Sequence, residues 1–250
     1  MDNQNDKIIY VIGTGPGFEE GLTLEALKIL KESDTIIGYS VYLDLLPDEI
    51  KEKELISTPM RKEKERCTIA FEEAAKGKKV AFVSSGDAGI YGMASLMYEI
   101  GASYPDIAVK VIPGVTAASS GAAILGAPIN HDFCVISLSD LLTSWETIEK
   151  RLKAAAEGDF AIVLYNPSSH KRKDYLKKAA EILLKTLRED TCCGYVKNIG
   201  REGTETIFCT LKELATSQVD MFTTVFIGNS KTMMINGKMV TPRGYLKQDD

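Results

Sequence analysis

Asp87 lies in the run Ser84-Ser85-Gly86-Asp87-Ala88-Gly89-Ile90-Tyr91-Gly92-Met93, with glycines at 86, 89 and 92 around it. Glycine lets main-chain amides approach a ligand closely, and a carboxylate among glycines accepts hydrogen bonds from an amine or from ribose hydroxyls. Alone, such a run would be read as a turn. A second loop of the same kind follows at Ile112-Pro113-Gly114-Val115-Thr116-Ala117-Ala118, and an earlier one at Gly13-Thr14-Gly15-Pro16-Gly17. Each comes after a strand-like run and before a helix-like one, the place where open α/β sheets bind ligands. Loops of this type on neighbouring strands imply a ligand crevice.

The elements that must carry these loops alternate along the chain. Apolar runs and helical periodicity predict strands over Lys7 to Gly13, Thr35 to Gly38, Lys79 to Ser84 and Ala108 to Ile112. Helices are expected over Leu22 to Glu32, Lys64 to Lys76, Met93 to Ser103 and Val115 to Leu125. Gly126-Ala127-Pro128 then reads as a boundary, after which the pattern restarts. Strands are expected over Asp132 to Ser137, Phe160 to Tyr165, Thr191 to Val196, Glu205 to Thr210 and Thr223 to Ile227. Helices are expected over Trp145 to Ala156, Asp174 to Leu187 and Leu211 to Val219. Asn236-Gly237 signals a tight hairpin. The expected fold is α/β in two domains, 1–126 and 127–250, with the active site in the cleft between them.

Composition removes several classes. Of the 250 residues, 44% are hydrophobic and 26% charged, which fits a folded globular chain rather than a disordered one. A net charge of -5 argues against nucleic acid as the main partner. The longest apolar run, Ala117 to Ile129, is interrupted by Ser and Gly and is shorter than the roughly 20 residues of a membrane span. The polar start, Met1 to Lys7, is unlike a signal peptide, so a cytoplasmic location is expected. The five cysteines form no Cys-x-x-Cys pair and there are two histidines, so no protein-bound metal is expected.

Gly13 to Gly17 invites comparison with a dinucleotide fingerprint, but Phe18 stands where the third glycine should fall. Pro16 also removes an amide that would face the pyrophosphate. Together with Ser85-Gly86-Asp87, Pro113-Gly114-Val115-Thr116-Ala117-Ala118 and Thr223-Thr224-Val225-Phe226-Ile227-Gly228, this loop instead resembles the tetrapyrrole methylase family. The resemblance runs from Lys7 to about Tyr245 and implies two αβα domains and S-adenosylmethionine as methyl donor. Within the family, the chain resembles the branch that methylates C-17 of a cobalt-containing tetrapyrrole with ring contraction. The residues carrying this are Gly38 to Leu45, Ser84 to Met93, His131 to Trp145 and Val163 to Ser168, with Ala88 where most of the family has proline. A sibling methylase acting on another carbon or on a metal-free substrate, and a non-catalytic tetrapyrrole-binding module on the same fold, remain alternatives.

Carried over by motif, the resemblance implies cofactor contacts at Pro16, Ser85, Gly86, Asp87, Ile90, Thr116, Ala117, Asn166 and Ile199. A homodimer is implied as well. Methyl transfer from a sulfonium needs alignment and exclusion of water, whereas ring contraction also moves protons. Asp87, Tyr91 and His131 are the acid-base candidates by type. The rim of such a substrate carries acetates and propionates, and Lys64, Arg66, Lys171 and Arg172 are the cations proposed to meet them.

Overall fold

The computed structural model describes residues 7–169 and 172–245. Its two compact units are Met1–Ala117 and Ala118–Asp250. The division falls nine residues before the Gly126 boundary expected from sequence, so the helix that follows the Pro113-Gly114 loop belongs with the second unit.

In the first unit, strands β1 (Ile8–Gly13), β2 (Thr35–Tyr39), β3 (Glu54–Thr58), β4 (Val80–Ser84) and β5 (Ala108–Ile112) form one sheet. Its order is β3-β2-β4-β1-β5, and every neighbouring pair is parallel. Helices α1 (Leu24–Glu32), α2 (Ser40–Leu43), α3 (Asp48–Lys51), α4 (Glu63–Ala75) and α5 (Ala94–Gly101) connect the strands. Alternation along the strands divides the core into two layers. Ile9, Val11, Val80 and Phe82 pack with Phe71 of α4 and Met97 of α5. Ile12, Ile36, Ala81 and Val83 pack with Leu30 of α1, Leu43 of α2 and Ile50 of α3. The sheet is thus covered on both faces, as a parallel sheet requires, and each fully buried large side chain contributes about 1.5–3 kcal/mol. Helix α1 begins at Thr23, whose Oγ1 accepts the amide of Ala26.

The second unit starts in the first turn of α6 (Ala117–Leu125), which is followed by β6 (Gly126–Ala127). Its main sheet comprises β7 (Phe133–Ser137), β8 (Ala161–Tyr165), β9 (Cys192–Lys197), β10 (Glu205–Thr210) and β11 (Thr223–Ile227), in the order β10-β9-β11-β8-β7. The β7–β8 pair is parallel and the other three pairs are antiparallel, so this is a mixed sheet. One face packs on α7 (Trp145–Glu157), α8 (Tyr175–Leu183) and α9 (Leu211–Leu214) through Ile148, Leu152, Leu176 and Leu214. The other face receives α6, where a Cβ on Gly121 would lie 2.8 Å from the ring of Phe226.

A small second sheet, β12-β13-β6, joins β12 (Met233–Ile235) and β13 (Lys238–Val240) to β6. Gly126-Ala127, expected as a boundary, is therefore a strand, paired in parallel with Met239 and Val240. Gly126 has φ +136°, and a Cβ there would lie 2.7 Å from the carbonyl oxygen of Met239, so only glycine fits this pairing.

Candidate functional site

The carboxyl ends of β4, β1 and β5 stand side by side, and the three glycine loops leave the sheet there. Their main chains are joined directly. Gly15 and Gly86 exchange amide and carbonyl, with N to O distances of 3.0 and 2.7 Å, and the Thr14 amide reaches Ser84 O at 2.9 Å. A Cβ on Gly114 would fall 2.1 Å from the Gly86 carbonyl oxygen and 2.6 Å from the Gly13 carbonyl carbon. A Cβ on Gly13 would fall 2.7 Å from the Gly114 nitrogen. Close main-chain approach excludes a side chain at Gly13 and Gly114, whereas Gly86 is required by its φ of +68°.

Asp87 closes the arrangement. Its Oδ1 accepts the amide of Gly89 at 2.8 Å and its Oδ2 accepts the amide of Gly114 at 2.9 Å. The carboxylate therefore latches the loop after β4 to the loop after β5. Each oxygen keeps a second lone pair, so the half-buried group can still accept a ligand hydroxyl. Thr23 adds a tie, its hydroxyl donating to Pro113 O at 3.4 Å.

Around this junction lie Pro16, Ser85, Gly86, Ile90, Thr116 and Ala117 of the residues expected at the cofactor. Pro16 is half-buried, against Gly21. Ser85 is half-buried, and Gly86 takes φ +68° with nothing but the Val115 to Ala117 main chain within 4 Å of its missing side chain. Ile90 and Val115 are 39% and 38% exposed, which places apolar surface on the two loops that Asp87 links. Tyr91 is exposed and takes φ +54°, a conformation that bulky side chains rarely adopt and that a folded loop must enforce. Beneath them, Ser84 Oγ is fully buried without a hydrogen-bond partner among the described residues.

In the second unit, the end of β8 is organised by hydroxyls. Tyr165 Oη accepts the amide of Ala118 at 2.7 Å, capping the first turn of α6. Asn166, at φ +54°, donates from Nδ2 to Ser137 Oγ at 2.9 Å, which ties the exits of β8 and β7 together. Ile199 is buried, with its δ1 methyl 2.9 Å from where a Cβ of Gly121 would stand. It packs on α6 within the unit.

The cations proposed for substrate carboxylates divide. Arg66 is 4% exposed; its Nε donates to Thr58 Oγ1 at 2.9 Å and its Nη2 to the carbonyls of Thr58 and Pro59, with the guanidinium over Tyr39. Arg172 donates to Ser169, Ser139 and Asp140, the last as an ion pair of 3.1 Å. Both side chains brace loops inside their own units. The Tyr175 hydroxyl at 2.6 Å, joined by Arg172, holds the Asp140 carboxyl below its usual range. Lys64 is exposed on α4, and Lys171 lies outside the described residues. His131 is exposed after β6, and its Nδ1 accepts the amide of Asp132 at 2.9 Å.

A parallel sheet whose carboxyl edge carries a glycine-walled junction with a latched carboxylate defines an α/β protein built to hold a ligand against its main chain. The family model for tetrapyrrole (corrin/porphyrin) methylases matches residues 8–215, and the chain belongs to that family. The probable cobalt-factor III C(17)-methyltransferase of Methanocaldococcus jannaschii is 48% identical, over 96% of this chain and 98% of the relative. The cobalamin biosynthesis protein CbiHC of Archaeoglobus fulgidus is 46% identical over 95% of this chain, but the chain spans only about half of that longer relative, 52% of its length. The crystal structure of the methyltransferase CobJ superposes with a TM-score of 0.86 at 36% identity, covering 94% of this chain and 99% of that one.

Proposed function

We propose that this chain transfers the methyl group of S-adenosylmethionine to C-17 of a cobalt-containing tetrapyrrole, cobalt-factor III, and takes part in the accompanying ring contraction in cobalamin synthesis. The observation that carries the reading is the junction of Gly13, Gly86 and Gly114 closed by Asp87, in a chain 48% identical to a relative named for this reaction.

The junction fits a nucleoside-bearing cofactor. Gly86 leaves open space against Val115 to Ala117, Asp87 retains acceptor capacity for a ribose hydroxyl, and Ile90 and Val115 offer apolar surface for a base. When bound, the cofactor supplies an electrophilic methyl group, so no strong protein base is needed for transfer. The chain's part is to fix the ligand's position through main-chain groups that cannot repack, and to keep water from the transferring carbon. Tyr91, exposed beside the junction, is the side chain proposed to move a proton during contraction.

Cobalt belongs to the substrate in this reading. Five free thiols fit a cytoplasmic location. A homodimer is part of the proposal, and light scattering at micromolar concentration returning only the 27.4 kDa monomer would remove it. The central test incubates the protein with S-adenosylmethionine and cobalt-factor III and follows the product by mass spectrometry. A methylated, contracted product is expected; substrate recovered unchanged would overturn the reading.

A further inference from the structure

The small β12-β13-β6 sheet takes no part in the glycine junction, yet it is tightly built. After their parallel pairing, β6 and β13 leave side by side, and Thr241, fully buried, pins the exits together. Its amide donates to Ala127 O at 3.0 Å, and its hydroxyl reaches Pro128 O at 2.5 Å and Thr232 Oγ1 at 2.7 Å. The chain continuing from β6 then supplies Ile129 to Asp132, and the chain continuing from β13 supplies Arg243. Between them is a recess of about 360 Å³ lined by Ile129, Asn130, His131, Asp132 and Arg243.

The walls of the recess are rich in donors. Arg243 is exposed on the recess wall and enters no salt bridge among the described residues, so its forked guanidinium can meet a ligand. The Asp132 amide donates to His131 Nδ1 at 2.9 Å and the Asp132 carboxylate lies 3.6 Å from the same nitrogen, so Nε2 is the ring nitrogen left to donate to a ligand. Asn130 adds an amide. A planar two-oxygen anion matches the guanidinium fork, and Asp132 on the same wall disfavours a doubly charged anion more than a singly charged one.

We infer that the His131–Arg243 recess is a carboxylate-binding site, and, resting on the function proposed above, that it receives an acetate or propionate of the tetrapyrrole rim. His131 then acts as a hydrogen-bond donor to substrate rather than as the acid of the contraction. The role also accounts for the small sheet, whose strand exits place Arg243 opposite His131.

The first test needs no turnover. The chain has two histidines, so the ring signals of labelled His131 are readily resolved by NMR. Glutarate, titrated at constant ionic strength, is expected to shift the His131 signals saturably, and glutaramide is expected to leave them in place. Absence of a saturable shift, or the same shift in Arg243→Gln, overturns the site whether or not the protein methylates anything. The second test assigns the natural carboxylate. Arg243→Gln should raise KM for cobalt-factor III about tenfold or more, the loss expected for a charge-assisted hydrogen bond. Its kcat and cofactor affinity should change little, and Arg243→Lys should recover part of the loss. Glutarate binding with an unchanged KM would support the site and overturn the tetrapyrrole rim as its source. A wild-type protein that binds glutarate but methylates no tetrapyrrole would sink the proposed function and leave the carboxylate site standing.

Discussion

Replacing Asp87 by Asn separates a latch from a catalytic base. The carboxylate takes two main-chain amides, Gly89 at 2.8 Å and Gly114 at 2.9 Å, on different oxygens. Asparagine keeps one acceptor oxygen and turns an NH2 toward the other amide, so one charge-assisted bond is lost and a donor faces a donor. A lost bond of that kind costs about 1.5–3 kcal/mol. Because Asp87 joins the loops proposed to carry the cofactor surface, the cost falls on the binding-competent arrangement. An effect of about 2–3 kcal/mol corresponds to roughly 30- to 150-fold in Kd. Calorimetric titration with S-adenosylhomocysteine, alongside thermal melting, reads both parts of the effect. The expected outcome is weaker binding by about tenfold or more together with a lower Tm. A Kd within about threefold of wild type with kcat abolished would refute the latch and make Asp87 a proton-transfer group.

The remaining predictions concern other parts of the molecule. Gly114→Ala places a Cβ 2.1 Å from Gly86 O and should destabilise by about 1–3 kcal/mol or more, read by urea titration, while weakening cofactor binding. Tyr91→Phe should accumulate a methylated but uncontracted tetrapyrrole, visible by mass and absorption spectrum; wild-type yield of contracted product would exclude its hydroxyl. Asp140 has its carboxyl held low by Tyr175 and then Arg172, so its contribution is present above the ordinary carboxylate range and is lost as pH falls below about 4. Asp140→Asn should therefore flatten the acid limb of a stability-versus-pH curve, and an unchanged limb would contradict the pairing. Burial pushes the Cys67 thiol up to about 12 and those of Cys134 and Cys209 to about 11, so iodoacetamide at pH 8 should label none of the three before unfolding, as checked by peptide mass mapping.

The first sheet was legible because its central strands are continuous apolar runs, and its glycine loops were legible because each sits where a strand hands over to a helix. The edge strand β3 escaped notice: only Leu55 and Ile56 are apolar, in a strand that is mostly solvent-accessible. Helix α9 was read too long, to Val219, because Leu211, Leu214 and Ala215 keep a helical period. It stops at Leu214, and beyond it the Thr216 and Ser217 hydroxyls fold back on Glu213 O, competing with the helical ladder. Strand β6 was invisible because its meaning lies in Met239 and Val240, more than a hundred residues away. The internal bonding of two candidate substrate cations was hidden for a related reason. Arg66 and Arg172 sit in basic runs that look solvated, and only their neighbours in space, Tyr39 for one and Asp140 for the other, draw them inward. The Asp87 latch had half a signal: the acid among glycines was visible, but its second partner, Gly114, lies 27 positions along the chain. Arg243 had none, because a single arginine near the end of a chain is indistinguishable from surface charge until the opposite wall is known.

The meeting of Gly13, Gly86 and Gly114 has a practical corollary for cofactor engineering. A pocket walled by side chains can be enlarged by trimming one of them, but main chain against main chain offers nothing to trim, and every substitution there only adds atoms. If the cofactor binds at this junction as proposed, acceptance of sulfonium donors bearing groups larger than methyl has to come from the flanks. Ile90→Ala and Val115→Ala are the changes that create room, with the glycines kept as a fixed template against which bulkier donors can be compared.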